Sequence, residues 1–310
     1  MPQPLKPPAL RSGDAVRIVS LSSPVEEERV KKGCDELKKM GYEPRLDRAA
    51  VLAKQGFFAG AVDARVGALK AAIAEPETRA IFCTRGGYGS NYLLECFHNP
   101  GTSPKIFCGF SDITSLHVYL WQKVHWVTLY GPMVAAGLDH GAGEPRGYDR
   151  ESLARALTES KHGWTLDLQG EPLAPGVVEG TLLGGCLNLV EATLGTPWEL
   201  GTDGAILVLE DRGMKPWQVD RALIHLMQAG KFRECAGVVF GDFPDCDPPA
   251  GSESVRDVVR RIMAPLGIPI VWGAPIGHTS RPMLTLPLGV RARLSTDRRT
   301  NLEILEPACS

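Results

Sequence analysis

The chain has 310 residues, 44% hydrophobic and 23% charged, with a formal net charge of −2 at pH 7. This is ordinary globular composition, long enough for two domains, and the lack of a long basic or acidic run argues against nucleic-acid or membrane-surface binding. No segment approaches a membrane span and the start, Met-Pro-Gln-Pro-Leu-Lys-Pro-Pro, has no apolar signal core, so a cytoplasmic protein is expected.

Residues 15–21 form a compact apolar run that predicts a strand. A helix is predicted over 26–40, stopped by Gly41. A second helix is predicted over 63–74. The strand at 80–84 runs into Arg85-Gly-Gly-Tyr-Gly89, with Ser90 placed to cap the next helix. The run 106–108 predicts a buried strand leading to Ser111, 113–123 a helix, and 126–130 another strand. This alternation predicts an α/β fold, a mostly parallel sheet with helices on both faces. From 139 to about 180 the periodicity dissolves into Gly- and Pro-rich sequence. A second αβ region follows, with helices at 187–194 and 219–229 and strands at Ala205–Glu210 and 236–240. Ser254 and Asp257 have capping-box spacing for a helix through Met263. A strand is predicted at 268–272, and short antiparallel strands between 283 and 305. The expected organisation is an N-terminal domain over 1–150, a linker with some local structure over 151–180, and a C-terminal domain over 181–310.

The eight cysteines include no Cys-x-x-Cys pair, and Cys83, Cys108 and Cys235 lie in or beside apolar runs. They read as buried thiols in a reducing compartment. Metal motifs such as His-Glu-x-x-His are missing, and the acidic loop 242–247 reads as a solvated loop. The glycine run 85–89 fits neither a dinucleotide fingerprint nor a phosphate loop. No cofactor and no metal are therefore expected.

Ser111 stands where a strand turns into a helix, a place where a nucleophile can be pushed outward beside unpaired N–H groups. Gly109 matches the nucleophile-elbow pattern, but the later glycine position holds Ile113. Glu210 ends a strand, at the edge where parallel sheets build their sites. His278 lies in the loop Gly273-Ala-Pro-Ile-Gly-His-Thr-Ser-Arg281. The order Ser, Glu, His is one that triads take in such architectures, with His278 as base and Glu210 orienting it. Backbone N–H groups of Gly86, Gly87 and Asp112 are the expected oxyanion hole. Arg85 and Arg281 are the expected ligands of substrate carboxylates.

These motifs together resemble the LD-carboxypeptidase family of serine peptidases, which includes muramoyl-tetrapeptide carboxypeptidase and the microcin C self-immunity proteins. The shared pieces are Arg85-Gly-Gly-Tyr-Gly89, Gly109-Phe-Ser-Asp112, Gly131-Pro-Met133, Gly180-Thr-Leu-Leu-Gly-Gly185, Gly195-Thr-Pro-Trp198, Leu207-Val-Leu-Glu-Asp211, and Gly277-His278 followed by Leu284-Thr-Leu-Pro-Leu-Gly289. The family's usual Tyr before the serine is Phe110 here. The resemblance implies the triad Ser111, Glu210 and His278. It also implies a flavodoxin-like N-terminal domain, a mixed α/β, small-barrel C-terminal domain, and commonly a homodimer. The implied reaction is release of terminal D-Ala from a murein tetrapeptide during cell-wall recycling. Two alternatives accompany it. One is an amidase acting on an aminoacyl-nucleotide antibiotic, for which Trp164 is the candidate base platform; the other is an inactive peptide-binding module.

Overall fold

The computed structural model describes residues 3–98, 101, 103–158, 163–297 and 299–310. The N-terminal half holds β1 (Ala15–Val19), α1 (Glu27–Lys39), β2 (Glu43–Arg45), α2 (Arg48–Val51), α3 (Val62–Ala74), β3 (Thr78–Cys83), α4 (Asn91–Leu94), β4 (Ile106–Gly109), α5 (Thr114–Val124) and β5 (Thr128–Tyr130). The rest holds α6 (Arg150–Leu157), β6 (Trp164–Asp167), β7 (Glu171–Ala174), β8 (Val177–Cys186), α7 (Leu187–Glu191), β9 (Ala205–Glu210), α8 (Pro216–Gln228), β10 (Gly237–Gly241), α9 (Val255–Met263), β11 (Ile270–Ala274), β12 (Leu286–Leu288), β13 (Arg291–Ser295) and β14 (Asn301–Ile304). No helix among the described residues is long and apolar enough to cross a membrane.

Strands β2-β1-β3-β4-β5 form a parallel sheet in the doubly wound, flavodoxin-like order. β1 and β4 are almost wholly buried because helices cover both faces, which is why they read as continuous apolar runs. Helix α1 buries Val30, Cys34 and Leu37 on one stripe. Its acidic first turn and basic last turn both oppose the helix dipole. Ser90 differs from expectation. Its hydroxyl makes no cap on α4 and instead donates to Asp112 O at 2.5 Å, because the nucleophile turn lies closer than the helix end.

The second sheet has the order β6-β14-β13-β8-β9-β10-β11-β7. Its centre, β8 to β11, is parallel, and its wings are antiparallel. In β13 buried and solvent-facing residues alternate, as expected for a wing wet on one side. Segment 151–180, expected as a linker, supplies most of α6 together with β6, β7 and the start of β8; residues 159–162 of it lie outside the described residues. Trp164, Leu166 and Leu168 are buried there. The apolar alternation in β6 spans only four residues, too short to stand out from loop composition.

Two features join the halves. Strand β12, from the C-terminal half, pairs antiparallel with β5 and completes the first sheet. One apolar core then runs without a break from Val16, Ile18 and Phe82 under the first sheet to Ile206, Val208, Leu294 and Ile304 under the second. A second cluster packs α7, α8 and α9 on the other face of the second sheet. All eight cysteines are free thiols, seven of them buried.

A shared core predicts cooperative unfolding. Calorimetry should show a single transition, and two resolved transitions would contradict it. Phe82→Ala, at a fully buried central position, should lower stability by about 3–5 kcal/mol.

Candidate active site

The C-terminal ends of the parallel strands β5 and β9, one in each sheet, meet at the Tyr130–Glu210 hydrogen bond. β4 ends in Gly109 and the chain reverses at Ser111, the first residue of a short 3₁₀ turn, Ser111–Ile113. Ser111 has φ +63°, the left-handed region that a side-chained residue enters only under constraint. Gly109 permits this turn, since a Cβ there would lie 2.9 Å from Ile113 Cγ2. The branched residue at the later elbow position is thus accommodated by the earlier glycine. Asp112 locks the turn from behind. Its Oδ2 accepts from Ser22 Oγ at 2.6 Å and from the Ser90 N–H at 2.8 Å.

The glycine loop after β3 packs directly on this turn. A Cβ on Gly86 would lie 2.9 Å from Ser111 Oγ, and one on Gly87, at φ +118°, 2.3 Å from Ser23 Oγ. Any side chain at 86 would occupy the nucleophile's own space. The buried Arg65 holds the loop from below, donating from Nη1 to Leu21 O and to Gly89 O, both at 2.8 Å. Backbone acceptors for the Gly86 and Gly87 N–H groups are lacking among the described residues.

Glu210, fully buried at the end of β9, is the centre of the opposite wall. Its Oε2 accepts from His278 Nδ1 at 2.8 Å and from the His278 N–H at 2.9 Å. Its Oε1 accepts from Tyr130 Oη at 2.5 Å, and Tyr130 Oη in turn accepts the Ser111 N–H at 3.2 Å. Burial, followed by the charge of Glu210, raises the Tyr130 pKa well above its ordinary value, so the phenol stays a donor. Gly277, at φ +60°, brings the histidine loop over the carboxylate; a Cβ there would lie 2.3 Å from Glu210 Cδ. Burial pulls the His278 pKa down, but the charge and hydrogen bond of Glu210 outweigh it, and the net shift is upward. With Nδ1–H committed to Glu210, Nε2 is the nitrogen left to accept a proton.

Ser111, Gly86, Gly87 and His278 line one cavity of about 280 Å³. Ser111 Oγ and the imidazole share it without a direct hydrogen bond, and such pairs commonly close only in the substrate complex. Among the described residues no group of three or more His, Cys, Asp or Glu side chains is arranged to hold a metal.

A family profile described as the LD-carboxypeptidase N-terminal domain matches residues 16–131, and one described as the LD-carboxypeptidase C-terminal domain matches 179–294. The chain belongs to the LD-carboxypeptidase family. A Bacillus subtilis (strain 168) protein named "Probable murein peptide carboxypeptidase" is 33% identical over 300 residues, 95% of this chain and 93% of that one. The Escherichia coli microcin C7 self-immunity protein MccF is 27% identical over 338 residues, covering 98% of this chain and 96% of MccF. The crystal structure of muramoyltetrapeptide carboxypeptidase from Oxalobacter formigenes superposes with a TM-score of 0.82 at 26% identity, over 94% of this chain and 99% of that one. This LD-carboxypeptidase family member is therefore a peptidase with the two-domain mixed α/β fold of its relatives.

The predicted residues do not all converge. Ser111, His278, Gly86, Gly87 and Arg85 line the cavity, and Glu210 lies directly behind His278. Arg281 does not line it. Its Nη2 donates to Asp242 Oδ1 at 2.9 Å and to Gly273 O, so its charge is already matched inside the protein. The acidic loop is likewise engaged, Asp242 by Arg281 and Asp245 by Arg212. Trp164 is buried in β6, away from the cavity, and offers no platform there. Sequence reasoning missed Tyr130, Arg65, His140 and Arg146. Tyr130 left one trace, a polar-tipped residue closing an apolar strand before Gly131.

His278 should titrate above its ordinary pKa of about 6.5. In Glu210→Gln the charge of residue 210 is lost and its hydrogen bond weakens while burial remains, so the pKa should fall. Side-chain NMR titration reads both values; an unchanged pKa in the variant would break the assigned coupling.

Proposed function

We propose that the protein is a serine LD-carboxypeptidase that removes terminal D-Ala from a murein tetrapeptide. The observation that carries this reading is the Glu210–His278 pair at 2.8 Å, set in the same cavity as a serine held in a left-handed turn. His278 Nε2 takes the Ser111 proton as Oγ attacks the carbonyl of the diamino acid. The negative oxygen that forms is received by the N–H groups of Gly86, Gly87 and Asp112. His278 then protonates the departing D-Ala amine. Water, deprotonated by the same nitrogen, releases the tripeptide from Ser111. Glu210 keeps its charge throughout and stabilises the imidazolium. Tyr130 ties the Ser111 N–H to that carboxylate, so the two walls of the site hold one register.

A carboxypeptidase must recognise a terminal carboxylate, and Arg85 is suited to this. It leads directly into Gly86 and lines the cavity, and among the described residues its one hydrogen bond, to Pro24 O, is long at 3.4 Å. Burial and then the nearby charge of Arg29 lower its pKa, outweighing the opposite pull of Glu26. The names of the Bacillus and Oxalobacter proteins favour a murein peptide over an aminoacyl nucleotide, and the burial of Trp164 removes the base platform that the rival reading required.

Ser111→Ala should fold normally and lose roughly three orders of magnitude or more in kcat on a murein tetrapeptide. Turnover near wild type would end the serine mechanism, and faster cleavage of an aminoacyl sulfamoyl adenosine than of the tetrapeptide would transfer the enzyme to the rival class. Arg85→Lys should raise KM much more for a free-acid substrate than for its C-terminal amide, because an ammonium cannot form the bidentate fork. Equal effects on both substrates would make Arg85 structural.

A further inference from the structure

Of the five exposed large apolar side chains among the described residues, three stand together beside the cavity. Phe57 is 62% exposed, Tyr92 51% and Tyr88 48%. Tyr88 directly follows Gly87, which lines the cavity. With Phe58 the three form one cluster. The Phe58 ring centroid lies 4.4 Å from that of Phe57, 5.8 Å from Tyr88 and 5.4 Å from Tyr92. Tyr88 lies 5.6 Å from Phe57 and 6.1 Å from Tyr92. A contiguous exposed patch of this kind marks a binding surface. Its open area is on the order of 300 Å², against roughly 800 Å² per partner in a stable protein interface. It is the size of a small-ligand platform and too small to hold two subunits together by itself.

The patch is held rigidly. Gln55 and Phe58 exchange two backbone hydrogen bonds, at 2.9 and 3.0 Å, and so close a tight turn with Phe57 at its tip. Gly56, at φ +60°, supplies the left-handed residue that the turn needs. Phe58 packs on the glycine loop, where a Cβ on Gly89 would lie 2.7 Å from Phe58 Cδ1. The Arg65 guanidinium lies 5.1 Å from the Phe58 centroid while holding Leu21 O and Gly89 O. The Tyr88 N–H donates to Ser23 Oγ at 3.1 Å. Loop 85–89 thus carries Arg85 at one end, the glycines beside Ser111 in the middle, and a ring of the patch on the far side of those glycines.

We propose that Phe57, Tyr88 and Tyr92 form a carbohydrate subsite, a stacking platform for the lactyl amino sugar that a murein peptide carries on its N-terminal amine. This rests on the carboxypeptidase reading above and deepens it, because the preferred substrate becomes the sugar-bearing tetrapeptide and not the free peptide. The carbonyl attacked by Ser111 belongs to the third residue, so the sugar begins three residues back, about 10 Å along an extended chain. Tyr88 stands two residues, about 7 Å at most, beyond Gly86, and a Cβ on Gly86 would lie 2.9 Å from Ser111 Oγ. The sugar and the patch are therefore within reach of one another while the bond is being cleaved. A pyranose presents a face of C–H groups with hydroxyls around its edge, which matches rings with apolar faces and, in the two tyrosines, polar tips. A nucleobase also stacks on rings, but in an aminoacyl nucleotide the nucleotide is the leaving group and falls on the Arg85 side of the glycine pair.

The test compares a tetrapeptide ending in D-Ala with the same peptide carrying an N-acetylated lactyl amino sugar on its N-terminus. Wild-type protein should prefer the glycopeptide by roughly 5- to 20-fold in kcat/KM, the range expected when one apolar sugar face is covered. Combining Phe57→Ala with Tyr92→Ala should remove most of that preference by raising KM for the glycopeptide. Combining Phe57→Tyr with Tyr92→Phe keeps both rings and should retain it. No preference in the wild-type protein, equal loss on both substrates, or a preference that survives the alanine pair would overturn the subsite. A change from dimer to monomer on sedimentation of the alanine variant would make the patch a subunit contact and overturn it as well. If the wild-type protein cleaves neither substrate, the carboxypeptidase reading fails separately, and the methyl glycoside of N-acetylglucosamine, with no peptide attached, reads the platform by itself. Shifts of the Tyr88 ring resonances on titration with that glycoside, lost in the alanine variant, support the subsite. Unshifted resonances, or shifts produced by adenosine alone, overturn it.

Discussion

A carboxylate with no solvent exposure at the seam of two sheets is the interaction on which the rest of this structure depends. A buried charge is tolerated only when it is paired and hydrogen-bonded. Glu210 has three donors, His278 Nδ1, the His278 N–H and Tyr130 Oη, drawn from both sheets. Tyr130 closes β5 of the first sheet, Glu210 closes β9 of the second, and His278 follows β11. Satisfying one buried anion therefore sets how the two halves meet. Removing any one donor would leave part of that charge unsolvated, a far larger penalty than loss of an exposed hydrogen bond.

The close approach of backbone segments follows from the same geometry. Gly277 passes over the Glu210 carboxylate, Gly86 lies against the Ser111 side chain, and Gly241 at the end of β10 lies against Glu210 Cβ. Each lacks a side chain because the space is already filled by a functional group. The second half of the site is organised by backbone rather than by charge. Asp112 looks like an acid placed for chemistry, yet its carboxylate is spent on Ser22 and on the Ser90 N–H. His117 is a similar case. Burial lowers its pKa to about 4, and its ring bridges Gly109 O and Thr128 Oγ1, so it braces the end of β4 as a neutral group.

The continuous core and the exchange of β12 into the first sheet make the cavity a feature of the whole molecule rather than of a hinge. Rigid support suits a site whose groups must hold their positions to within a fraction of an ångström. The charges around the rim divide in the same way. Arg29, Arg212 and Arg281 are neutralised by aspartates of the protein itself, whereas among the described residues Arg85 and Arg146 form no ion pair.

Much of this was legible in one dimension. Strand and helix order in the N-terminal half, the Ser111 turn, Glu210 at a strand end and His278 in a glycine-flanked loop are local signals, because periodicity and turn chemistry act over a few residues. Segment 151–180 was not legible, since β6 and β7 are four-residue wing strands stabilised by partners more than 90 residues away. Arg281 and Arg146 make the same point at the site. Both are loop arginines beside glycine or proline, and nothing local distinguishes them. The sequence alone determined which chemical groups were available and the order in which they occur. Only the tertiary structure decided which arginine is neutralised by Asp242 and which is left facing the cavity, because charge pairing depends on distance through space and not on separation along the chain.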